Sequence, residues 1–469
     1  GYCEAVPYGP YYPRFTHSLT ADASRVYLAG DAHTLAGAYS YTGHSWIAAF
    51  SAATGIQDTT FGVDGYTNEL LTPYGNFPMQ PGWVDFNWGS ADWYSKFPAV
   101  TLGPPGVIYA LGGYPQIASY LSYFTVPSII SATTGAGSSA NLSFGSSYLN
   151  GPGTLPTEFD GGLARLPSSP APWTMPNPYG GGHYIKGTYN PADDKIYAIM
   201  ESLAANIVSL DIYGSDGTPN AITGLGTTTG PASPNVEHVV AAPGGGVLVA
   251  GRYTQDDYCS PGAYSSWSIF LNKYDSSGSL QWQRKFCRGV ATTSWCIPDP
   301  YYGLYCFTQQ ELDADYGGSP PPGSSQETFY ENGSLNGVDI GQDGLTYVSL
   351  GTYPTFANAI LRFDNSGNPV PFGGDGELAT GSTCTGYGQL RVLPTGGYIV
   401  ICDDGSGSTL FRLRSNGQLE TGWGSGGKYR ANSFPGFPRA LDGTDDVFTA
   451  YRTGYGYGLD EYLCRFRTH

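Results

Sequence analysis

Apolar residues in this chain fall in short runs, rich in β-branched and aromatic side chains and bounded by Gly, Asn, Asp and Ser. That punctuation predicts strands and tight turns throughout, with no long helical period. One phrase recurs in degraded copies. It is an apolar strand, a second strand, a Gly/Asn/Asp turn and an aromatic–Gly stop. The first copy is RVYLAGD (25–31), IAAF (47–50) and DTTFGVDG (58–65). A second is LTYVSL (345–350), ILRFDNSGN (360–368) and PFGGDG (371–376). A third is GYIVIC (397–402), LFRLRSNG (410–417) and GWG (422–424). A unit repeated at this scale is one supersecondary element copied around a ring or along an array.

The spacing predicts one all-β domain over residues 1–469, a single seven-bladed β-propeller, with six to eight blades compatible with the pattern. The blades fall at about 16–71, 99–149, 183–226, 236–286, 335–378, 388–429 and 437–469. The last ends without its outer strand, and the N-terminal segment has no blade of its own. Each is expected to complete the other, because ring closure removes the unpaired edges of an open array. Three insertions interrupt the repeats, at about 67–98, 151–182 and 288–334. Repeat scaffolds often gather such insertions on a binding face.

Composition narrows the setting. Gly numbers 68 and Pro 35 of 469 residues, so turns are dense, and only 13% of residues are charged against about 25% usually. The formal net charge of −17 argues against nucleic acid and against docking on anionic lipid. No apolar stretch is long enough to span a bilayer as a helix. The start at Gly1-Tyr-Cys is read as that of a mature chain whose signal peptide has been removed. Eight cysteines, none in a CxxC pattern, predict disulfides and a secreted, extracellular or cell-surface protein. Closure predicts Cys3–Cys464, and proximity along the chain predicts Cys259–Cys287, Cys296–Cys306 and Cys384–Cys402.

The turn-and-stop phrase resembles the delta-sixty repeat of bacterial secreted β-propellers. The matches are 58–65, Arg362-Phe-Asp364 with 372–376, and Arg412-Leu-Arg414 with 423–427. The second blade keeps only Phe144-Gly145, and the third and fourth keep the turns but lose the stop. The resemblance implies a propeller outside the cell, with Gly admitting positive φ in the turns and Phe or Trp packed between blades. It implies no catalytic residues.

Candidate chemistry is sparse. Trp83, Phe86, Trp88, Trp93 and Tyr94, with Asp85 and Asp92, could stack on sugar rings and bind hydroxyls, although an insertion of this size also needs a small core of its own. Tyr301 and Tyr302 belong to a large tyrosine excess (38 residues) suited to interfaces. His33, His44 and Asp31 lie near one hairpin, but no HxH or HExxH spacing supports a metal site. Acidic turns such as 364–368, 403–405 and 442–446 offer oxygen ligands for Ca²⁺, and ordinary Asx turns account for the same residues. Glu158, Asp160, Glu201 and Glu237 are carboxylates available to a glycosidase. Asn141 and Asn332 head glycosylation sequons.

The sequence therefore predicts no catalytic residue, no metal and no cofactor beyond that calcium option. The leading expectation is a non-enzymatic extracellular structural or adhesive protein, a self-assembling subunit of a surface layer or filament, with itself as partner. The alternative is a carbohydrate-binding or carbohydrate-active propeller, hydrolase or lyase, with surface glycans as partner. Carboxylates converging at the ring mouth would favour the alternative, and a Tyr-lined outer rim would favour assembly.

Overall fold

A computed structural model describes residues 2–5, 14–37, 40–58, 83–87, 99–105, 107–111, 113–116, 122–125, 128–131, 182–202, 206–215, 219–228, 232–254, 267–286, 291–299, 303–306, 313–314, 318–330, 333–352, 359–372, 386–394, 396–403, 408–430, 436–442, 446–453 and 460–467. Strand β1 is Tyr2–Ala5. It is followed by β2 (Arg14–Ala21), β3 (Arg25–Gly37), β4 (Ser40–Ser51) and β5 (Trp83–Asn87), which form one antiparallel sheet in that order. Next come β6 (Ala99–Leu102), β7 (Val107–Leu111), the hairpin β8 (Gly113–Gln116) and β9 (Ser122–Thr125), and β10 (Ser128–Ser131). Strands β6, β7 and β10 make a three-stranded sheet.

Two regular four-stranded sheets follow. The first is β11 (Gly182–Asn190), β12 (Lys195–Ser202), β13 (Ile207–Gly214) and β14 (Pro219–Gly226). The second is β15 (Ser233–Ala241), β16 (Val247–Thr254), β17 (Trp267–Tyr274) and β18 (Leu280–Phe286). The insertion after it carries a sheet of its own, from β19 (Ala291–Asp299), β20 (Gly303–Cys306) and β21 (Ser325–Tyr330). The repeats resume with β22 (Gly333–Ile340), β23 (Thr346–Thr352) and β24 (Ala359–Phe363). They continue with β25 (Gly386–Val392), β26 (Tyr398–Asp403), β27 (Ser408–Leu413) and β28 (Lys428–Arg430). The last are β29 (Gly436–Asp442), β30 (Asp446–Thr453) and β31 (Asp460–Arg467).

This is an all-β propeller arrangement, and five of its sheets have the four strands of a blade. The fifth of these is assembled from both ends of the sequence: β1 pairs antiparallel with β31, in the order β1-β31-β30-β29. The N-terminal segment thus supplies the outer strand that the last repeat lacks. Its register sets Cys3 opposite Cys464, and Cys464 is fully buried. The first strand of each repeat abuts the first strand of the next: β2 meets β6, β6 meets β11, then β15, β22, β25 and β29, and β29 returns against β2.

The middle strands are buried on both faces. Along β13 every residue from Val208 to Tyr213 is buried, and Ile196–Met200 of β12 are likewise. Alternation is lost there because a neighbouring sheet covers each face, so these strands read as continuous apolar runs. Tyr197, Ile199, Val208, Leu210 and Ile212 pack on Val236, Val247, Val249 and Phe270 of the next sheet. The other face of that sheet, Leu248, Ala250, Ile269 and Leu271, packs on Leu335, Val338, Val348 and Leu350. Period-two alternation therefore reappears as a choice between two neighbours rather than between core and water.

The repeated turns join the sheets. Asp364 Oδ1 accepts the amides of Ser366 and Asn368, both at 2.8 Å, and Gly367 sits at φ 76°. Trp282 Nε1 donates to the Asn365 carbonyl at 2.8 Å, and Arg284 reaches the Gly367 carbonyl and Asn368 Oδ1. One sheet's outer strand thus grips the next sheet's turn. The same seam recurs where Thr223 and Lys195 donate to Gly278 and Ser276, and where Arg362 donates to Ser415. It recurs again where Arg465 of β31 donates to Ala53 beside β4, at 3.1 Å. The aromatic stops pack in the adjoining layer. Phe372 lies 6.5 Å from Tyr347 and 6.4 Å from Tyr398 across one seam, with Arg362 4.1 Å above its ring. Trp423 joins Leu393, Ile399 and Cys464 at the next.

The sequence boundaries need one correction. Trp83 and Phe86, placed by the sequence in the insertion at about 67–98, lie on β5 and pair with β4 as the outer strand of the first sheet. Cys296 and Cys306 are register partners on β19 and β20. Trp88, Trp93, Tyr94, Tyr301, Tyr302, Asn141, Asn332, Cys259, Cys287, Cys384 and residues 151–181 lie outside the described residues.

Candidate functional site

The inner strands enclose a cavity of about 1030 Å³. Its wall comes from β2, β6, β11, β15, β22 and β25, so the propeller axis is a channel lined by the first strand of successive sheets. Most of the lining is small or polar, and five positions carry strong chemistry: Lys186, Glu237, His238 and the Asp339–Arg391 pair.

Backbone irregularities at one level of the channel place these groups. Register shifts interrupt the ladder between Tyr184 and Lys186 on β11, and between Val236 and His238 on β15. Equivalent shifts fall between Thr16 and Ser18, Leu335 and Gly337, Tyr387 and Leu390, and Pro438 and Ala440. A bulge inserts an unpaired residue, bends its strand and re-aims side chains. Repetition of the bulge around the axis makes a collar, and Glu237 is the extra residue on β15.

Glu237 Oε1 accepts from Arg252 Nε at 2.6 Å and forms an ion pair with the same guanidinium. Glu237 Oε2 is buried and has no hydrogen-bond partner among the described residues. Burial raises the Glu237 carboxyl above its ordinary value, opposed first by Arg252 and then by Lys186. Burial lowers the Lys186 ammonium, opposed by Glu237. His238 is pushed down to about 3, mainly by burial and secondarily by the charge of Lys186, while its N–H donates to the Leu335 carbonyl. The imidazole is therefore neutral at physiological pH. Three ionisable groups with displaced equilibria on adjacent inner strands form the kind of cluster that binding and acid–base sites use.

Asp339 plays a different part. Its Oδ2 accepts the Val392 amide at 2.7 Å and lies 3.2 Å from Arg391 Nη1, which ties β22 to β25. It is buried and satisfied, a joint between sheets as well as part of the wall.

Of the carboxylates named from sequence, only Glu237 lines this channel among the described residues. Glu201 lies on β12, and Glu158 and Asp160 lie outside the described residues. His33 stands opposite Gly43 and His44 opposite Ala32, so the two histidines are not register partners. Sequence reading missed Lys186, His238, Arg252, Asp339 and Arg391. A signal existed: VEHVV (236–240) and YIKGTY (184–189) put charge inside apolar inner-strand runs. Among the described residues no group of three or more His, Cys, Asp or Glu could hold a metal ion. No helix there is long and apolar enough to cross a membrane.

Fold and channel define the class: an all-β propeller with a polar axial site. The chain is similar in fold to the crystal structure of polysaccharide lyase Uly1, at TM-score 0.50 and 12% identity over 99% of this chain and 92% of that one. Further likenesses are Drosophila Plexin A in complex with Semaphorin 1b (TM-score 0.42, 10% identity, 98% and 88% of the two chains) and the β-propeller domain of the trilobed protease from Pyrococcus furiosus (TM-score 0.36, 9% identity, 80% and 95%). No protein-family model matches the sequence, and neither does any curated protein.

Proposed function

We propose that this chain is a secreted, seven-bladed β-propeller that binds a carbohydrate in its axial channel. The carrying observation is the channel itself. It has room for a few sugar units, and it sets Lys186, Glu237 and His238 on adjacent inner strands with their ionisation displaced. The blade count is supported by the unbroken succession β2, β6, β11, β15, β22, β25 and β29, which counts the two three-stranded repeats as blades. The disulfide Cys3–Cys464 is supported by their opposed register and by the absence of a free cysteine among the described residues, and it suits an oxidising compartment. The lyase likeness is one of fold only and adds no residue to the argument.

The test is a glycan array followed by ligand-observed NMR with the purified full chain and its Glu237→Gln variant. Saturation transfer from channel residues, weakened in the variant, is expected. Blank arrays and no transfer at about 100 μM protein would remove the carbohydrate reading.

Self-assembly is the second reading, and it has its own support. Ile222, Leu280 and Tyr429 are 45%, 50% and 43% exposed on β14, β18 and β28, the outermost strands of three sheets. Light scattering after size exclusion decides it: a monomer at all concentrations, salts and pH values ends that reading.

A further inference from the structure

The cations in and beside the channel differ in their company. Arg252 is held by Glu237, and Arg391 by Asp339. Lys186 makes no hydrogen bond or ion pair with any described residue. Glu237 is near enough to act on it electrostatically, but Glu237 Oε1 is committed to Arg252. Lys186 is half-buried and lines the cavity, so its ammonium faces the channel with no counter-ion in hydrogen-bond contact. A second group beside it is also incomplete: Glu237 Oε2 is buried with no donor. A third, His238, is an uncharged ring with one nitrogen given to the Leu335 carbonyl, leaving the other as an acceptor. Lys186, Glu237 and His238 therefore line one cavity, and the Lys186 ammonium is the group of the three that can take a partner there.

We infer that the channel is an anion site in which Lys186 receives the carboxylate or sulfate group of an acidic sugar. This rests on the carbohydrate reading for its ligand class, but the anion site stands on Lys186 alone. The chain as a whole is strongly acidic, with formal net charge −17. Its long-range field repels anions, so their affinity must come from this local group. Burial lowers the Lys186 ammonium, and a bound anion would raise it again. A neutral sugar offers Lys186 no counter-charge.

The experiment titrates the full chain with tetragalacturonate, its methyl ester and inorganic sulfate, using calorimetry and ligand-observed NMR. The acid form is expected to bind at least about tenfold tighter than the ester, the advantage of one charge-assisted hydrogen bond. Lys186→Met should erase that preference, Lys186→Arg should keep most of it, and sulfate should compete only where the charge is present. Met removes the charge at similar length, so a circular-dichroism melt at or above that of the native chain shows that the variant is folded. Equal affinity for acid and ester, or a preference that survives in K186M, overturns the anion site. Binding of the ester alone, lost in E237Q, keeps the carbohydrate reading and overturns the anion site. Sulfate binding that needs Lys186, with no sugar bound, keeps the anion site and removes the carbohydrate reading.

Discussion

Gly367→Ala tests the seam that joins successive sheets. Gly367 has φ 76°, in the left-handed region, where an L-residue pays about 1–2 kcal/mol. An added Cβ would also stand 2.8 Å from two atoms of the Trp282 ring. The indole is not free to retreat, because its Nε1 is bonded to the Asn365 carbonyl at 2.8 Å while Arg284 holds the Gly367 carbonyl. Displacing it forfeits one or two hydrogen bonds, each about 0.5–1.5 kcal/mol. The expected total is about 2–4 kcal/mol. Gly396→Ala is the control. Gly396 has φ 85°, but nothing lies within 4 Å of its added Cβ, so only the backbone term of about 1–2 kcal/mol applies. Urea unfolding followed by tryptophan fluorescence gives both values from midpoint shifts at constant slope. G367A should exceed G396A by at least about 1 kcal/mol, with a changed native-state emission from Trp282. Equal losses in the two variants would refute the docking of this turn on the preceding sheet.

Other expectations follow from single residues. His238 has its folded value pushed down to about 3 against about 6.5 unfolded, so its contribution is full above pH 6.5 and is lost as pH falls towards 3. Between pH 7.5 and pH 5 the native chain should lose more stability than His238→Gln, by at most about 2 kcal/mol, since His238 lines the channel and is half-buried. Equal urea midpoint shifts in the two proteins would contradict this. Asp339→Ala orphans the Val392 amide and should lower stability by about 2–3 kcal/mol in the same assay; Arg391, partly exposed, re-solvates at little cost. Cys464→Ser should cost about 2–5 kcal/mol if the ends are bridged, and a thiol titration of the unfolded native chain should then count no free Cys3. An unchanged melting temperature would mean that strand pairing alone closes the ring.

Much of the architecture is legible in particular residues. Asp364-Asn-Ser-Gly-Asn368 announces its turn because an Asx side chain and a glycine can satisfy that backbone locally. Phe372 and Trp423 announce sheet-to-sheet packing because a large ring after a turn has no other apolar place to go. The missing outer strand of the last repeat announces β1, because an unpaired edge demands a partner. Trp83 and Phe86 show where legibility stops, since which stretch fills an outer strand depends on which reaches β4.

Charges inside the apolar runs 184–189 and 236–240 were legible one by one, but their meeting in one cluster was not, and the reason is geometric. Lys186 and Glu237 belong to different repeats and become neighbours only when sheets stand side by side around an axis. The bulges that set their level are register shifts between paired strands, and a single strand's sequence carries no trace of its partner's register. Period, turn chemistry and edge pairing are local, so the sequence by itself determined an all-β repeat protein whose two ends meet. The displaced ionisation of Lys186, Glu237 and His238 and the cavity that they line are sums over distant elements, so only the tertiary structure could decide them.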